Sequence, residues 1–143
     1  QILMLVGASI AAATALEQTG GASLLAEGLI HLLSAAPTPV ILSGFFLLIA
    51  ILTNFLSNNA TAVLFTPVAL DLADRLGTSP AAFLACVIFA ANASFATPIG
   101  YQTNLLVMGP GRYRFADYIK AGLPLVVLVW LCFTLVAPFY YTL

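Results

Sequence analysis

Charged side chains are nearly missing from this sequence. Lys and Arg together number four, Asp and Glu five, and one His completes the set in 143 residues, so only 6% of the chain is charged. A soluble domain carries roughly a quarter charged residues, and this shortage excludes one. The near balance of signs, −1 overall, removes the basic surface that nucleic acid requires. No His, Cys or carboxylate cluster occurs in the apolar runs, which leaves out the usual equipment of a membrane hydrolase. The two cysteines, Cys86 and Cys132, sit in separate apolar runs without disulfide or metal spacing and read as free buried thiols. There is no initiator Met, and the first residues already lie inside a hydrophobic segment. A signal peptide is therefore not legible, and the chain is expected to be a piece of a longer protein.

What is present is apolar and helical in pattern. Hydrophobic residues make up 62% of the chain and the mean hydropathy is +1.10. Runs free of Asp, Glu, Lys and Arg occupy 28–70, 76–111 and 121–143, each reaching or exceeding the roughly 20 residues of one membrane span. An all-α, multi-pass integral membrane fold is the expectation. Residues 1–16 read as the end of a span, stopped by Gln18-Thr19-Gly20-Gly21. Residues 22–35 place Leu24, Leu25, Gly28, Leu29 and Leu32 on one face, with Glu27 and His31 on another. That pattern predicts an interfacial amphipathic helix with a solvated polar face.

Residues 38–76 read as two helices, the first to about Phe55 and the second from Ala60, separated by Ser57-Asn58-Asn59. Three consecutive polar residues are costly against lipid, but irregular backbone is tolerated where it lines a cavity inside a membrane protein. Asn59 is a candidate N-cap of the second helix. Residues 80–108 read as a helix to about residue 95, a polar interruption from Thr97 to Asn104, and a resumed helix. Pro98 and Gly100 both oppose helix continuation there. A last span is expected within 117–142, with Tyr140 and Tyr141 in an interfacial belt. Arg112, Arg114 and Lys120 cluster before it and assign that loop to the cytoplasmic side. Residues 37–78 then begin and end on the outer side, as two full spans or as a re-entrant hairpin. The Ser-Asn-Asn turn has no Lys, Arg, Trp or Tyr anchor, which favours the hairpin with its tip at 57–59.

A tip inside the membrane has useful electrostatics. The first helix ends there with unpaired carbonyls that suit a small cation, and the second begins there with free N–H groups that suit an anion. Asn58 and Asn59 add neutral amides, and sodium favours such hard oxygen ligands. Carriers place substrate and coupling ions where discontinuous helices meet near the midplane. Two interruptions in one segment therefore read as a carrier. Neither contains an acidic residue, which argues against a buried carboxylate proton relay. The sequons Asn59-Ala60-Thr61 and Asn92-Ala93-Ser94 lie in apolar helical context and are discounted as glycosylation sites.

The residues TNFLSNNAT at 53–61, the helix ending in Pro67, ATPIGYQTN at 96–104 and LEQTGGASLLAEGL at 16–29 resemble the divalent anion:sodium symporter family of the wider ion transporter superfamily. The resemblance covers essentially the whole chain and corresponds to the C-terminal inverted repeat. It implies an elevator-type homodimeric carrier, with no cofactor beyond a coupling sodium ion, in a membrane such as the bacterial inner membrane. By resemblance Ser57 and Asn58 match a hairpin tip, and Thr53, Leu56, Asn58 and Pro98 match the surroundings of a sodium site, mostly through carbonyl oxygens. Ser57, Asn58, Asn59, Thr97, Gly100, Thr103 and Asn104 are the corresponding substrate-site residues. Asn59 stands where the family often has Thr, and Tyr101-Gln102-Thr103-Asn104 replaces the Thr-Pro-Pro-Asn of dicarboxylate members. Both departures speak against dicarboxylate specificity, and the GYQTN version at 100–104 resembles the branch associated with sulfate. The competing readings are a proton-coupled arsenite or oxyanion permease and a non-transporting membrane subunit.

Overall fold

The computed structural model describes residues 36–141 without interruption, together with residues 11, 15, 18–20, 24, 27, 28 and 31. The expected span end at 1–16 and interfacial helix at 22–35 lie for the most part outside the described residues. Among the described residues the continuous part is all helical: α1 (Thr38–Leu52), α2 (Asn58–Leu76), α3 (Pro80–Ala91), α4 (Gln102–Met108) and α5 (Phe115–Tyr141).

Local chemistry sets most of these boundaries. Pro37, extended in backbone, precedes α1, and Pro39 falls in its first turn, where a missing N–H costs nothing. Gly77 closes α2 at φ +62°, its N–H and that of Thr78 returning to the carbonyls of Asp74 and Ala73. Ser79 caps α3 through Ala81 N, with Pro80 as the first helical residue. At α5 the Asp117 carboxylate accepts from Arg114 N at 2.8 Å, the backward half of a capping box. That cap starts α5 at Phe115, slightly ahead of the expected 117.

Three further boundaries also fall earlier in the chain than expected. The first helix ends at Leu52 and the second begins at Asn58, so the irregular segment is 53–57 and Asn58 and Asn59 are already helical. Ser57, not Asn59, is the N-cap, its Oγ accepting from Ala60 N at 3.2 Å. The helix expected to reach residue 95 stops at Ala91. There the Asn92 amide folds back to donate to Ile88 O at 2.8 Å, a side-chain bond that competes with helix continuation. The second irregular segment is therefore 92–101 and starts well before Thr97.

Packing centres on α3. It lies against α2 most extensively and also against α1 and α5, whereas α1 and α2 touch only sparsely. Phe45 of α1 is the meeting point of three helices, with ring centroids 5.9 Å from Phe65 of α2 and 6.1 Å from Phe83 of α3. Phe133 of α5 joins Phe46 at 5.2 Å and Phe89 at 5.8 Å. A polar tie fastens α5 to α1 within this apolar body: Trp130 Nε1 donates to Ser43 Oγ at 3.0 Å, and Ser43 Oγ pairs with Thr134 Oγ1 at 3.1 Å. Both cysteines are free thiols; Cys86 is buried as expected, whereas Cys132 is exposed on α5.

Helix α5 alone among the described helices is long and apolar enough to cross a membrane. It leaves Leu128, Leu135, Val136 and Phe139 exposed, a surface suited to lipid or to further protein and not to water. By contrast α1 and α3, with 15 and 12 residues, extend only about 22 and 18 Å at helical rise.

Helix α5 crosses the 92–101 segment at Gly122, where an added Cβ would stand 2.0 Å from Phe95 O. Gly122→Ala is expected to force the two apart at about 1–3 kcal/mol, the usual range for overpacking. Thermal unfolding of the full-length protein checks this, and an unchanged midpoint contradicts the crossing.

Candidate functional site

Segments 53–57 and 92–101 are built against each other, and Asn54 is the joint. Its Nδ2 donates to Ala50 O at 2.7 Å and Ala93 O at 3.3 Å, and its Oδ1 accepts from Ala96 N at 2.9 Å. Its main-chain carbonyl accepts from Thr97 Oγ1, which in turn accepts from Gly100 N at 3.2 Å. One asparagine thus satisfies main-chain groups that both helix ends leave unpaired. Gly100 is required at this contact, because a Cβ there would lie 2.7 Å from Thr53 O and 3.0 Å from Asn54 Cα. From α4, Asn104 Nδ2 donates to Ser94 O at 2.9 Å and Thr97 O at 3.2 Å, closing the second segment on itself.

Asn58, the first residue of α2, reaches into this assembly. Thr53 Oγ1 donates to Ala91 O at 2.6 Å, so its lone pairs are what it turns toward Asn58. Around the same end of the Asn58 amide lie Thr53 Oγ1 at 3.1 Å, Ser94 Oγ at 2.9 Å, Ala91 O at 3.1 Å and Gly100 O at 3.3 Å. Amide orientation follows from hydrogen bonding, and here the nitrogen belongs inside. An NH₂ group has two protons to share among these four oxygens. The Thr53 and Ser94 hydroxyls add one proton each, so the cluster is neutral and built of hard hydroxyl and carbonyl oxygens, the ligand type a small hard cation prefers. Thr53, Ser94, Ala91 and Gly100 are buried, and the side-chain oxygens that face the cluster are hydroxyl or amide.

The residues expected from the sequence separate into groups. Thr53, Asn58 and Gly100 meet at the oxygen cluster. Leu56 and Pro98 are buried in the two irregular segments, and the carbonyl from 98–100 that nears Asn58 belongs to Gly100. Ser57 Oγ is engaged as a helix cap. The side-chain donors of Thr97 and Asn104 hold backbone carbonyls. Asn59 and Thr103 are exposed. Asn54, Asn92 and Ser94 were not singled out from the sequence. The available signal was polar residues at the end of an apolar run, set aside with the sequon at 92–94.

The described residues thus bring together paired helix interruptions lined by uncharged oxygens and one long helix suited to lipid. A family model described as "Citrate transporter" matches residues 1–143. The chain belongs to that family, within the divalent anion:sodium symporters, whose members are transporters and not enzymes. It is 44% identical over 98% of its length to an uncharacterized transporter of Synechocystis sp., covering 23% of that protein. It is 30% identical over 91% of its length to sodium/sulfate cotransporter 1 of Chlamydomonas reinhardtii, covering 15% of it. Human solute carrier family 13 member 4 is 30% identical over 86% of the chain, which covers 20% of that relative. The chain thus spans about a fifth of the length of these relatives.

The joint at Asn54 is testable apart from transport. Asn54→Leu removes a donor and an acceptor from buried backbone groups and is expected to cost roughly 1–3 kcal/mol. It should also speed amide exchange at Ala96. Unchanged exchange there would show that Asn54 does not hold the second segment.

Proposed function

We propose that this chain is the C-terminal inverted repeat of a sodium-coupled secondary carrier of small divalent anions, with sulfate ahead of dicarboxylates. The observation that carries the reading is the oxygen cluster around Asn58, where two hydroxyl and two main-chain carbonyl oxygens converge on one amide. A sodium ion binds there, with the Asn58 amide oxygen, Thr53, Ser94, Ala91 and Gly100 as its surroundings. The anion is held beside it at the N-terminal turn of α2, where main-chain N–H groups point outward and the helix dipole favours negative charge. Asn59 and Thr103, both exposed, face that role.

Helix lengths support a re-entrant hairpin and a broken span. The Asp71–Arg75 ion pair, 2.8 Å long and exposed, belongs at an aqueous boundary. Asn58 precedes Asp71 by 13 residues, about 20 Å of helix, which sets the cluster well inside a hydrocarbon layer about 30 Å thick. The short α1 and α3 end at the same depth. In an elevator mechanism this body moves as a unit, which suits the bonding of its two irregular segments through Asn54. The opposing repeat, the homodimer contacts and the surrounding bacterial inner membrane belong to the longer protein. Two relatives, sodium/sulfate cotransporters 1 and 2 of Chlamydomonas reinhardtii, support the choice of ion and anion.

Full-length protein in proteoliposomes is expected to accumulate labelled sulfate, and succinate less well, when an inward sodium gradient is imposed. Accumulation indifferent to sodium overturns the reading. Asn58→Ala is expected to raise the half-saturating sodium concentration tenfold or more, a loss of about 1.4 kcal/mol, in protein that still reaches the membrane. Asn59→Thr is expected to change the sulfate-to-succinate preference with little effect on sodium affinity. Unaltered selectivity excludes Asn59 from the anion site.

A further inference from the structure

We infer that the Asn58 carboxamide is a two-position switch: it fills the oxygen cluster with its own NH₂ when the cluster is empty and turns over when a cation enters, presenting that NH₂ to the anion side. This rests on the cation site proposed above and adds the means by which occupancy of that site is communicated. The two ends of a carboxamide are nearly equal in size, so a half-turn exchanges donor for acceptor without repacking. One end of Asn58 lies among Thr53 Oγ1, Ser94 Oγ, Ala91 O and Gly100 O. The other end faces Asn92 Oδ1 at 3.5 Å. Asn92 has its own amide fixed, because its Nδ2 donates to Ile88 O at 2.8 Å. It therefore always offers an oxygen to Asn58.

The two positions have opposite consequences. With the cluster empty, Nδ2 points inward and donates, leaving Asn58 Oδ1 facing Asn92 Oδ1, two acceptors that repel each other and any anion nearby. With a cation in the cluster, an inward N–H is repelled and an inward Oδ1 becomes a ligand. Nδ2 then swings outward, donates one proton to Asn92 Oδ1 and directs the other to the exposed first turn of α2. An anion arriving there meets a donor only when the cation is present. By linkage the anion must in turn tighten cation binding by the same factor. Asn92 is exposed and outside the cation cluster, so it acts on the switch as a positioning residue.

The switch has a direct readout in magic-angle-spinning NMR on the full-length carrier in lipid, labelled with ¹⁵N-asparagine and ¹³Cβ-serine. Without sodium, a dipolar contact between Asn58 Nδ2 and Ser94 Cβ is expected, identified by its loss both in Ser94→Ala and in Asn58→Ala, the second of which keeps the neighbouring Asn104 contact with Ser94. Saturating sodium should abolish that contact, whereas choline should not. Persistence of the contact in protein whose uptake is sodium-driven overturns the switch and leaves the carrier standing. Persistence together with sodium-indifferent uptake overturns both. In parallel, Asn92→Ala should reduce the factor by which sodium tightens sulfate binding roughly two- to tenfold, the worth of one neutral hydrogen bond. Sulfate affinity without sodium should not weaken. An undiminished factor contradicts the role of Asn92, and a purely structural Asn92 would lower stability and leave the factor alone.

Discussion

A helix that stops inside an apolar body leaves N–H and C=O groups that neither lipid nor hydrocarbon side chains can satisfy. This chain stops a helix twice, and the Asn54 side chain answers both interruptions at once, bonding Ala50 O on one side and Ala93 O and Ala96 N on the other. Everything at the site follows from that pairing. It brings Thr53 next to Ala91, sets Gly100 against the Thr53 carbonyl, and leaves a pocket of oxygens for Asn58 to enter from the start of α2. A single interruption would need water or a ligand to meet its unpaired groups. Two interruptions meet each other's, and the remaining oxygens form the cluster proposed above as a cation site.

The surrounding helices serve the same arrangement. Helix α3 packs on both arms of the proposed hairpin and on α5, so α1, α2 and α3 are held together by the contacts of Phe45 with Phe65 and Phe83 and not by the irregular segments alone. Gly122 lets α5 lie directly on the Phe95 carbonyl, closing the second interruption from behind. Side-chain oxygens at the cluster come from amides and hydroxyls. Neutral ligands suit the proposed cation site, since a buried carboxylate would carry a standing charge through the membrane.

Much of this was legible in the sequence, and the misses have one cause. Charge scarcity and the long apolar runs gave the helical membrane class, and the motifs at 53–61 and 96–104 led to the right family. Helix starts marked by Pro39 and Pro80 were placed closely, because proline acts locally. Helix ends were placed too late at Leu52 and Ala91, since the residues that follow, Thr53-Asn54 and Asn92-Ala93-Ser94, are mostly small or polar and do not forbid a helix. What ends these helices is mainly tertiary, each segment's side chains bonding the other's backbone, with the local Asn92 bond to Ile88 O added after Ala91. Ser57-Asn58-Asn59 drew notice as three polar residues in a row, yet Ser57 caps a helix and only Asn58 enters the cluster. Asn54, which does most to hold the site, sits between a threonine and a phenylalanine and has no pattern of its own.

The central claim is that segments 53–57 and 92–101 form one cation-responsive unit. Hydrogen–deuterium exchange on the full-length protein in lipid nanodiscs, with sodium and with choline, tests it most directly. Sodium should slow exchange in peptides covering both segments together, with half-effects at the same concentration, while the exposed loop at 109–114 is unchanged. Protection of one segment without the other, or of neither, contradicts the account.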